Sequence, residues 1–534
     1  MVTDLAVLDL VRKLTFDESA AFYRMLSTIR RKGSRNKLRD SYVESKKRLD
    51  KIGFSVPPHM IDFQTPIGWA AKGISVPAAR IRPDGFTLPR PSTLLDEVNE
   101  TFEDNYLAAI ERMAIESSLW HSVAFVFVTP GDTTLGEPDV IVAARTALEA
   151  TAEVDARTNR VTLALEMVSA VKGLLYVPGK TLRVESGRDG WMVTREVDNL
   201  SGLIPCIPYI WGWSLSRQFG RSRVTRPLMG YIDKGVRTML RQEVTAEFFS
   251  APQRALLGAD EAHFTGPDGK RISPLEALIG GMWALPDVFD EDEQKLVRPD
   301  IKQLQQASMQ PHSEMMRTIG LMVSSELSIP VGYLGIIHDN PSSADAILAN
   351  ESDMVAMVEY ERDLSYKIAH EKLARTILAV KYDGISDGMA AELRGLSANF
   401  ANAGTPTRAA RADAAMKYQT TFPNGDPEVA MEEYGLSKSQ IERNLAYAKQ
   451  AQSGQRLDAL VAASKSSAAP VFSDGQQVAG GVDELKNAQI LKARADALGV
   501  LRRAGVDAGD AAERSGLVGV KFMPGSPITI RENP

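Results

Sequence analysis

Six histidines (His59, His121, His263, His312, His338 and His370) and a single cysteine are the residues in this 534-residue chain from which a metal or nucleophile site would be built. No two of the histidines stand four apart, the spacing that lays two imidazoles on one helical face, and one thiol cannot make a thiolate cluster. No zinc site, no other metal and no cofactor are therefore expected. Cys206 sits in the apolar run IPCIPYIW and reads as a buried, inert thiol, since a reactive one needs an accessible, electropositive setting. The run HDNPSS at 338–343 gathers a His, an Asp and two Ser. Triad members meet in space from separate elements, so neighbours at a helix start serve instead as turn and cap. GPDGKRIS at 266–273 has a Gly-Lys pair without the G-x-x-x-x-G-K-[ST] spacing that curls amides around phosphates, and reads as a turn. G-x-S-x-G is absent as well. The acidic run DVFDEDE at 287–293 lacks the alternating ligands and central glycine of a calcium loop and reads as a solvated acidic loop. These residues point away from an enzyme.

Composition narrows the classes further. With 62 Lys and Arg against 68 Asp and Glu, the net charge is -6. A protein that grips DNA by neutralising phosphates shows a basic excess, so tight general DNA binding is disfavoured. Hydrophobic residues at 44% and the lack of an 18-residue apolar run exclude a membrane span. MVTDLAVLDLVRKL carries an early acid and no basic region ahead of an apolar one, so secretion is not expected. Basic residues do concentrate locally: residues 30–51 hold ten Lys or Arg and three Asp or Glu. That stretch reads as a solvated helix face, a subunit interface or a phosphate-contacting patch.

The elements that must position these residues are legible from periodicity. Residues 4–30 read as two short helices separated by Thr15, Phe16 and Asp17. A helix follows at 92–119, with Leu95, Val98, Phe102, Leu107, Ile110 and Met113 at helical spacing. Seven β-rich runs, HSVAFVFV, PDVIVAAR, NRVTLALEMV, LLYV, TLRVES, WMVTREV and IPCIPYI, are separated by turn residues, and residues 1–217 form an α+β region. A long helix at 218–250 is followed by an irregular segment at 251–303, a second helix at 304–329 and a loop at 330–343. Residues 343–381 contain neither Gly nor Pro, with Ile347, Met354, Met357, Leu364 and Ile368 as an apolar stripe. At about 1.5 Å per residue they form a rod of nearly 60 Å. Shorter helices fill 385–464, and 465–534 is linker, one helical piece and a tail.

In the first long helix Pro227 suits the opening turn, Ala251-Pro252 forbids continuation, and Leu228, Ile232, Val236, Leu240, Val244 and Phe248 recur every fourth residue. Gly230 and Gly235 each cost about 1 kcal/mol against Ala, which is reasonable where a neighbour crosses closely. Arg223, Arg226, Lys234, Arg237 and Arg241 lie toward the N-terminal end and Glu243 and Glu247 toward the C-terminal end, against the helix dipole. Those charges need partners from outside the helix.

Four segments carry a family resemblance: RDSYVESKKRLDKIGFSVPP (39–58), PIGWAAKGISVPAARIRPDGF (66–86), FGRSRVTRPLMGYIDKGVRTMLRQEVTAEFFSAPQRALLGAD (219–260), and LSIPVGYLGIIHDNPSSADAILANESDMVAMVEYERDLSYKIAHEKL (327–373). With them the chain resembles the portal proteins of tailed double-stranded DNA bacteriophages, especially those of actinobacterial phages. The resemblance implies a ring of about twelve subunits at one capsid vertex of the virion, assembled in the host cytoplasm. Its channel passes DNA without sequence-specific binding, and it docks the terminase large subunit, then the head-to-tail adaptor, with the major capsid and scaffolding proteins around it. It implies a portal-type fold: wing (1–217), stem helices (218–250 and 304–329), clip (251–303), tunnel loop (330–343), spine helix (344–384), α-helical crown (385–464), and linker with C-terminal tail (465–534). Tyr333, Ile336, His338, Asp339 and Asn340 would line the tunnel. Asp287, Asp290, Glu291, Asp292 and Glu293 would meet terminase or adaptor. Arg237, Arg241, Glu243 and Glu247 would pair across the seam between subunits, because in a ring each helix faces a copy of itself. The competing readings are a packaging ATPase or nuclease, for which phosphate and metal motifs are missing, and a head protein of another kind.

Overall fold

The computed structural model of the chain is a mixed α+β structure that describes residues 11–49, 65–90, 92–188, 190–199, 201–249, 254–257, 288–290, 295–297, 300–303, 308–336, 344–404, 408–436, 440–451, 453, 512 and 515. Two units are distinguished, Met1–Lys438 and Ser439–Pro534, the latter contributing a helical run at 440–451.

In the first unit a two-residue strand, Arg12–Lys13, precedes helix α1, Phe16–Val43. The sequence led us to expect a break at Thr15–Asp17. Thr15 instead starts the helix: its hydroxyl accepts from the Glu18 amide while Glu18 accepts from the Thr15 amide, the reciprocal capping box. Arg12 clamps this corner, donating to Glu18 at 2.6 Å and to Glu196 at 2.8 Å, and its hydrogen bonds hold the Glu18 carboxyl at about 2. The helix then runs on through the basic stretch, burying Phe22, Met25, Leu26 and Ile29 and later Asn36, Arg39 and Tyr42.

Helix α2 spans Trp69–Ala78. The single helix expected at 92–119 is two, α3 (Thr93–Asp104) and α4 (Leu107–His121), because Tyr106 adopts a left-handed conformation. Asn105 makes the corner by donating to the Val140 carbonyl at 2.8 Å and accepting from the Val142 amide at 2.9 Å. The change of direction leaves Met113, placed in the apolar stripe by its spacing, exposed.

All seven expected strands are present, joined by Ala150–Val154, which the pattern did not mark. Strands 12–13, 190–198, 180–187, 172–177, 161–169 and 150–154 form an antiparallel sheet in that spatial order. Its two faces alternate residue by residue. Leu165, Leu175, Leu182, Val184 and Val193 pack on α1, while Ala150, Ala152, Ala164 and Tyr176 pack on Phe125, Phe127 and Cys206 of a second sheet. That sheet orders strands 206–210, 123–130 and 140–146 and supports the largest core through Val126, Val128, Ile207 and Tyr209. The Cys206 thiol is buried, and desolvation raises its pKa well above the usual value.

Helix α5, Arg226–Phe249, lies antiparallel to α6, Gln310–Leu327. At one end Thr225 donates to Glu326 at 2.5 Å, and at the other Thr245 and His312 approach to 3.4 Å. Leu228, Ile232, Leu240 and Val244 are buried as their spacing predicts, whereas Val236 is half-buried and Phe248 exposed. Of the two glycines, Gly235 has the expected close neighbour, though it is a pair of side chains: an added Cβ would lie 2.9 Å from Ile67 and 3.1 Å from Trp69. Gly230 faces nothing within 4 Å.

The rod is helix α7 (Ala344–Glu361), a π-helical turn (Arg362–Tyr366) and helix α8 (Lys367–Lys381) in unbroken succession. Its buried seam is Met354, Val358, Tyr366, Ala369, Leu373 and Ile377, while Ile347 and Ile368 are exposed. A π turn widens the helix locally and shifts the phase of every later residue, which a uniform 3.6 period does not anticipate; this accounts for Ile368, whereas Ile347 precedes the turn. Short helices α9 (Asp387–Glu392), α10 (Arg408–Thr421) and α11 (Pro427–Tyr434) follow. The all-helical expectation for 385–464 needs correction at Ser397–Phe400, a strand paired with Pro83–Thr87 and packed with α3 and α8.

Gly230→Ala should raise the unfolding free energy of the isolated chain by about 0.5–1 kcal/mol, and Gly235→Ala should lower it. Urea unfolding of the two variants checks the pair of signs.

Candidate functional site

The helical hairpin, the loop after it and the rod converge on Arg223. Gly220, at φ +64, permits the turn that delivers this arginine, since a Cβ there would stand 2.0 Å from the Trp211 carbonyl oxygen. Ser222 donates to the Trp120 carbonyl at 2.5 Å and the Arg223 amide to that of Leu119 at 2.9 Å. Thus fixed, the buried guanidinium donates from Nε to the Gly73 carbonyl at 2.6 Å and from Nη2 to the Leu327 carbonyl at the end of α6. Nη1 meets the Met357 sulfur at 3.0 Å, and the group lies 5.2 Å from the centre of the Trp211 ring. Burial pulls its pKa down to about 10, against the field of Glu361. Glu361, itself raised by burial, accepts from the Gly212 amide at 2.9 Å.

The loop after α6 is held as firmly. Ser328 takes a left-handed conformation, the Ser324 hydroxyl donates to the Ile329 carbonyl at 2.6 Å, and Val331–Leu334 form one tight turn. The Trp69 indole donates to the Leu334 carbonyl at 3.1 Å. Tyr333 donates to Glu351 at 2.5 Å and accepts from Arg80 at 2.9 Å; Arg80 also pairs with Glu351 at 3.1 Å and donates to the Ala403 carbonyl at 2.7 Å. Burial, then Glu351, raises the Tyr333 hydroxyl above its ordinary range. Between α6, this turn and α7 opens a cavity of about 1000 Å³, with Leu321, Ser325, Ile347, Asn350 and Asp353 on its walls.

Of the expected tunnel residues, Tyr333 directs its hydroxyl into the Arg80 and Glu351 network, and Ile336 lies over Gly320, where an added Cβ would stand 1.7 Å from Ile336 Cδ1. His338, Asp339 and Asn340 lie outside the described residues, as do the HDNPSS cap and the 266–273 turn. Arg237, Arg241, Glu243 and Glu247 share α5, Arg237 half-buried and the other three exposed. Asp287, Glu291, Asp292 and Glu293 lie outside the described residues. Asp290 ends a strand, Val288–Asp290, paired with Lys295–Val297, so the acidic run expected as a loop is partly β.

The most catalysis-like cluster is Glu111, His370 and Tyr209. His370 Nδ1 and the Tyr209 hydroxyl both meet Glu111 Oε1, the latter at 2.5 Å. All three are essentially without solvent contact, and the imidazole stacks on Phe86 at 4.2 Å with Phe102 and Phe400 around it. With no opening for a substrate this is a buried polar tie between α4, a sheet and α8. Among the described residues no group of three or more His, Cys, Asp or Glu could hold a metal, and no helix is long and apolar enough to cross a membrane.

Residue spacing did not single out Arg80, Glu351 or Glu361, and it counted Arg223 among the helix charges. A signal existed for Arg223: it stands between Ser222 and Val224 in a turn rather than on a polar helix face.

Among the described residues the charged groups clamp long helices together rather than lining an open reactive centre. No family model matches it. It is similar to the portal protein of Mycobacterium phage L5, 26% identical over 390 residues covering 71% of this chain and 77% of that protein. It is likewise similar to the portal protein of Mycobacterium phage D29, 24% identical over 413 residues covering 75% of this chain and 82% of the relative. A solved structure described as the neck of a native GTA particle computed with C12 symmetry matches at a TM-score of 0.37 and 12% identity, over 69% of this chain and 89% of that one. The resemblance to actinobacterial phage portal proteins read in the sequence is matched by the two phage relatives.

Arg223→Lys keeps the charge and loses the fork, leaving at least one buried carbonyl without a donor. It should cost about 2–4 kcal/mol, read as a lower urea midpoint at unchanged slope; a loss under about 0.5 kcal/mol would remove Arg223 from its central place.

Proposed function

We propose that the chain is a phage portal protein: an oligomeric ring at one vertex of the capsid, whose channel passes double-stranded DNA during packaging and ejection. The similarity to the L5 portal protein across 71% of the chain carries this reading. In it, 1–217 is the wing, 218–250 and 304–329 the stem, 251–303 the clip that meets the terminase large subunit and then the head-to-tail adaptor, 330–343 the tunnel loop, 344–384 the spine, and 385–464 the crown. The major capsid and scaffolding proteins surround the ring.

Two features of the hairpin support assembly into a repeat. Met315, Leu321 and Met322 on α6 are exposed, as are Ile347 and Leu348 on α7. Apolar surface of this kind on paired helices is what a second copy would cover. The charges of α5 oppose its own dipole, and a neighbouring copy supplies the opposite sign, Arg237 and Arg241 of one subunit facing Glu243 and Glu247 of the next. The acidic balance of the chain fits a conduit. A wall that repeats one acidic residue around a ring denies DNA the counterion-release contacts that make it stick; Asp339 is a candidate for such a belt, and the 287–293 run is a candidate either for a belt or for a partner-facing surface.

Negative-stain electron microscopy of the purified full-length protein should show rings with a central channel; a single copy under all conditions that support virion assembly would end the proposal. With rings in hand, the double substitution Glu243→Lys and Glu247→Lys should shift the population to smaller species at unchanged helix content by circular dichroism. Intact rings of that variant would refute pairing across the seam while leaving the ring itself standing.

A further inference from the structure

A second cavity, of about 370 Å³, lies between the C-terminal half of α1 and the first turn of α5. Five arginines, Arg35, Arg39, Arg217, Arg221 and Arg226, stand on its walls, and among the described residues no acidic one does. Four of them are exposed, but Arg39 retains 9% of its surface. Its Nη1 donates to Asn36 Oδ1 at 3.0 Å and to the His121 carbonyl at 3.4 Å, while its buried Nε has no partner among the described residues. Asp40, the carboxylate whose field acts on Arg39, is already engaged by His121 Nε2 at 2.7 Å. Burial, then Arg35 and Arg217, pulls the Arg39 guanidinium down to about 10, so it remains charged at neutral pH among like charges. Lys32 is lowered too, by burial and then by Arg35, Arg31, Arg39 and Arg217. Arg226, Pro227 and Met229 bring the positive pole of α5 to the same wall.

From this geometry we infer that the cavity binds a phosphate group, held by Arg39 from below and by Arg35 and Arg217 at the rim. A carboxylate brings one charge and two oxygens to five guanidiniums. A phosphate brings up to two charges and oxygens directed toward several forks at once, the match that charge-assisted bidentate bonds require. At about 30 Å³ per water the space holds roughly a dozen waters, enough for a phosphate and its remaining hydration. Free phosphate and a phosphate of a DNA backbone share this chemistry. The inference goes beyond the portal reading and stands on separate residues.

The test is thermal unfolding of the full-length protein in chloride against inorganic phosphate at equal ionic strength. Phosphate at ten times its half-saturating concentration should raise the midpoint by roughly 1–1.5 °C, following the logarithmic dependence of a single site. Arg35→Gln and Arg217→Gln, both at exposed positions, should leave the chloride midpoint unchanged or higher because a like charge is gone. Each should raise the half-saturating phosphate concentration at least about tenfold, the loss of one charge-assisted hydrogen bond. A short DNA duplex that abolishes the phosphate increment identifies backbone phosphate as the source, and one without effect identifies free phosphate. Absence of that increment, or an equal increment in both variants, overturns the inference. So does a fall in oligomer fraction in the variants without any phosphate response, which would place a neighbouring copy's carboxylate in the cavity.

Discussion

A guanidinium cannot shed its charge to suit a buried site, so the structure around Arg223 must satisfy it, and much of the fold follows from that requirement. Its planar donors are met by the carbonyls of Gly73 on α2 and Leu327 at the end of α6, with Met357 of α7 and the Trp211 ring completing the enclosure. Four segments distant in sequence are therefore fixed relative to one another by one side chain, a geometry that a lysine cannot reproduce. Arg80 repeats the logic further along, tying Tyr333, Glu351 and Ala403. Paired buried charges give little net stability, because desolvation offsets most of the attraction, but they penalise every arrangement that leaves them unpaired. In a chain of long helices, where apolar stripes can slide past one another by a turn, that penalty selects one register.

The same economy explains why the loop after α6 is ordered through its backbone. Ser324, Trp69 and the reversal at Ser328 satisfy carbonyls and turn the chain, and the Tyr333 hydroxyl anchors the turn to the rod. The turn up to Ile336 is thus anchored on α6, Trp69 and α7. The hairpin and the rod share the largest core, in which Leu228, Ile232, Val323, Met354 and Val358 pack with Trp69.

What was legible in the sequence was whatever depends on local period. The seven strands, the two hairpin helices and the unbroken rod all have apolar spacing strong enough to stand alone. What was not legible depended on partners distant along the chain. Tyr106 turns the corner between α3 and α4 because Asn105 finds a strand edge 35 residues away. The π turn at 362–366 rotates the rod's seam to bring Tyr366 beneath Ser118, at 2.5 Å. Strand 397–400 exists because strand 83–87 offers it an edge. The buried charges failed for the same reason: nothing within Glu351 or Arg80 announces a partner some 270 residues away. Among the candidate site residues, spacing placed Arg237, Arg241, Glu243 and Glu247 on one helix, while the contacts of Tyr333 with Arg80 and Glu351 and of Ile336 with Gly320 join elements that no local period connects.

The charge pattern of α5 is where intramolecular reasoning reaches its end. Like-signed residues near each pole of a helix cost some tenths of a kcal/mol apiece. Burial of Leu228, Ile232, Leu240 and Val244, at about 1.5–3 kcal/mol each, outweighs that several times over. The helix therefore forms whatever its charges do, and its exposed Arg226, Arg241 and Glu243 are not needed for its folding. At the N-terminal pole, Arg226 joins a cavity wall of five arginines that no acidic residue on the wall offsets among the described residues. Concentrating like charge where the helix field is already positive is unfavourable in a copy standing alone. It becomes favourable when an anion arrives from outside, as the phosphate inferred for this cavity would.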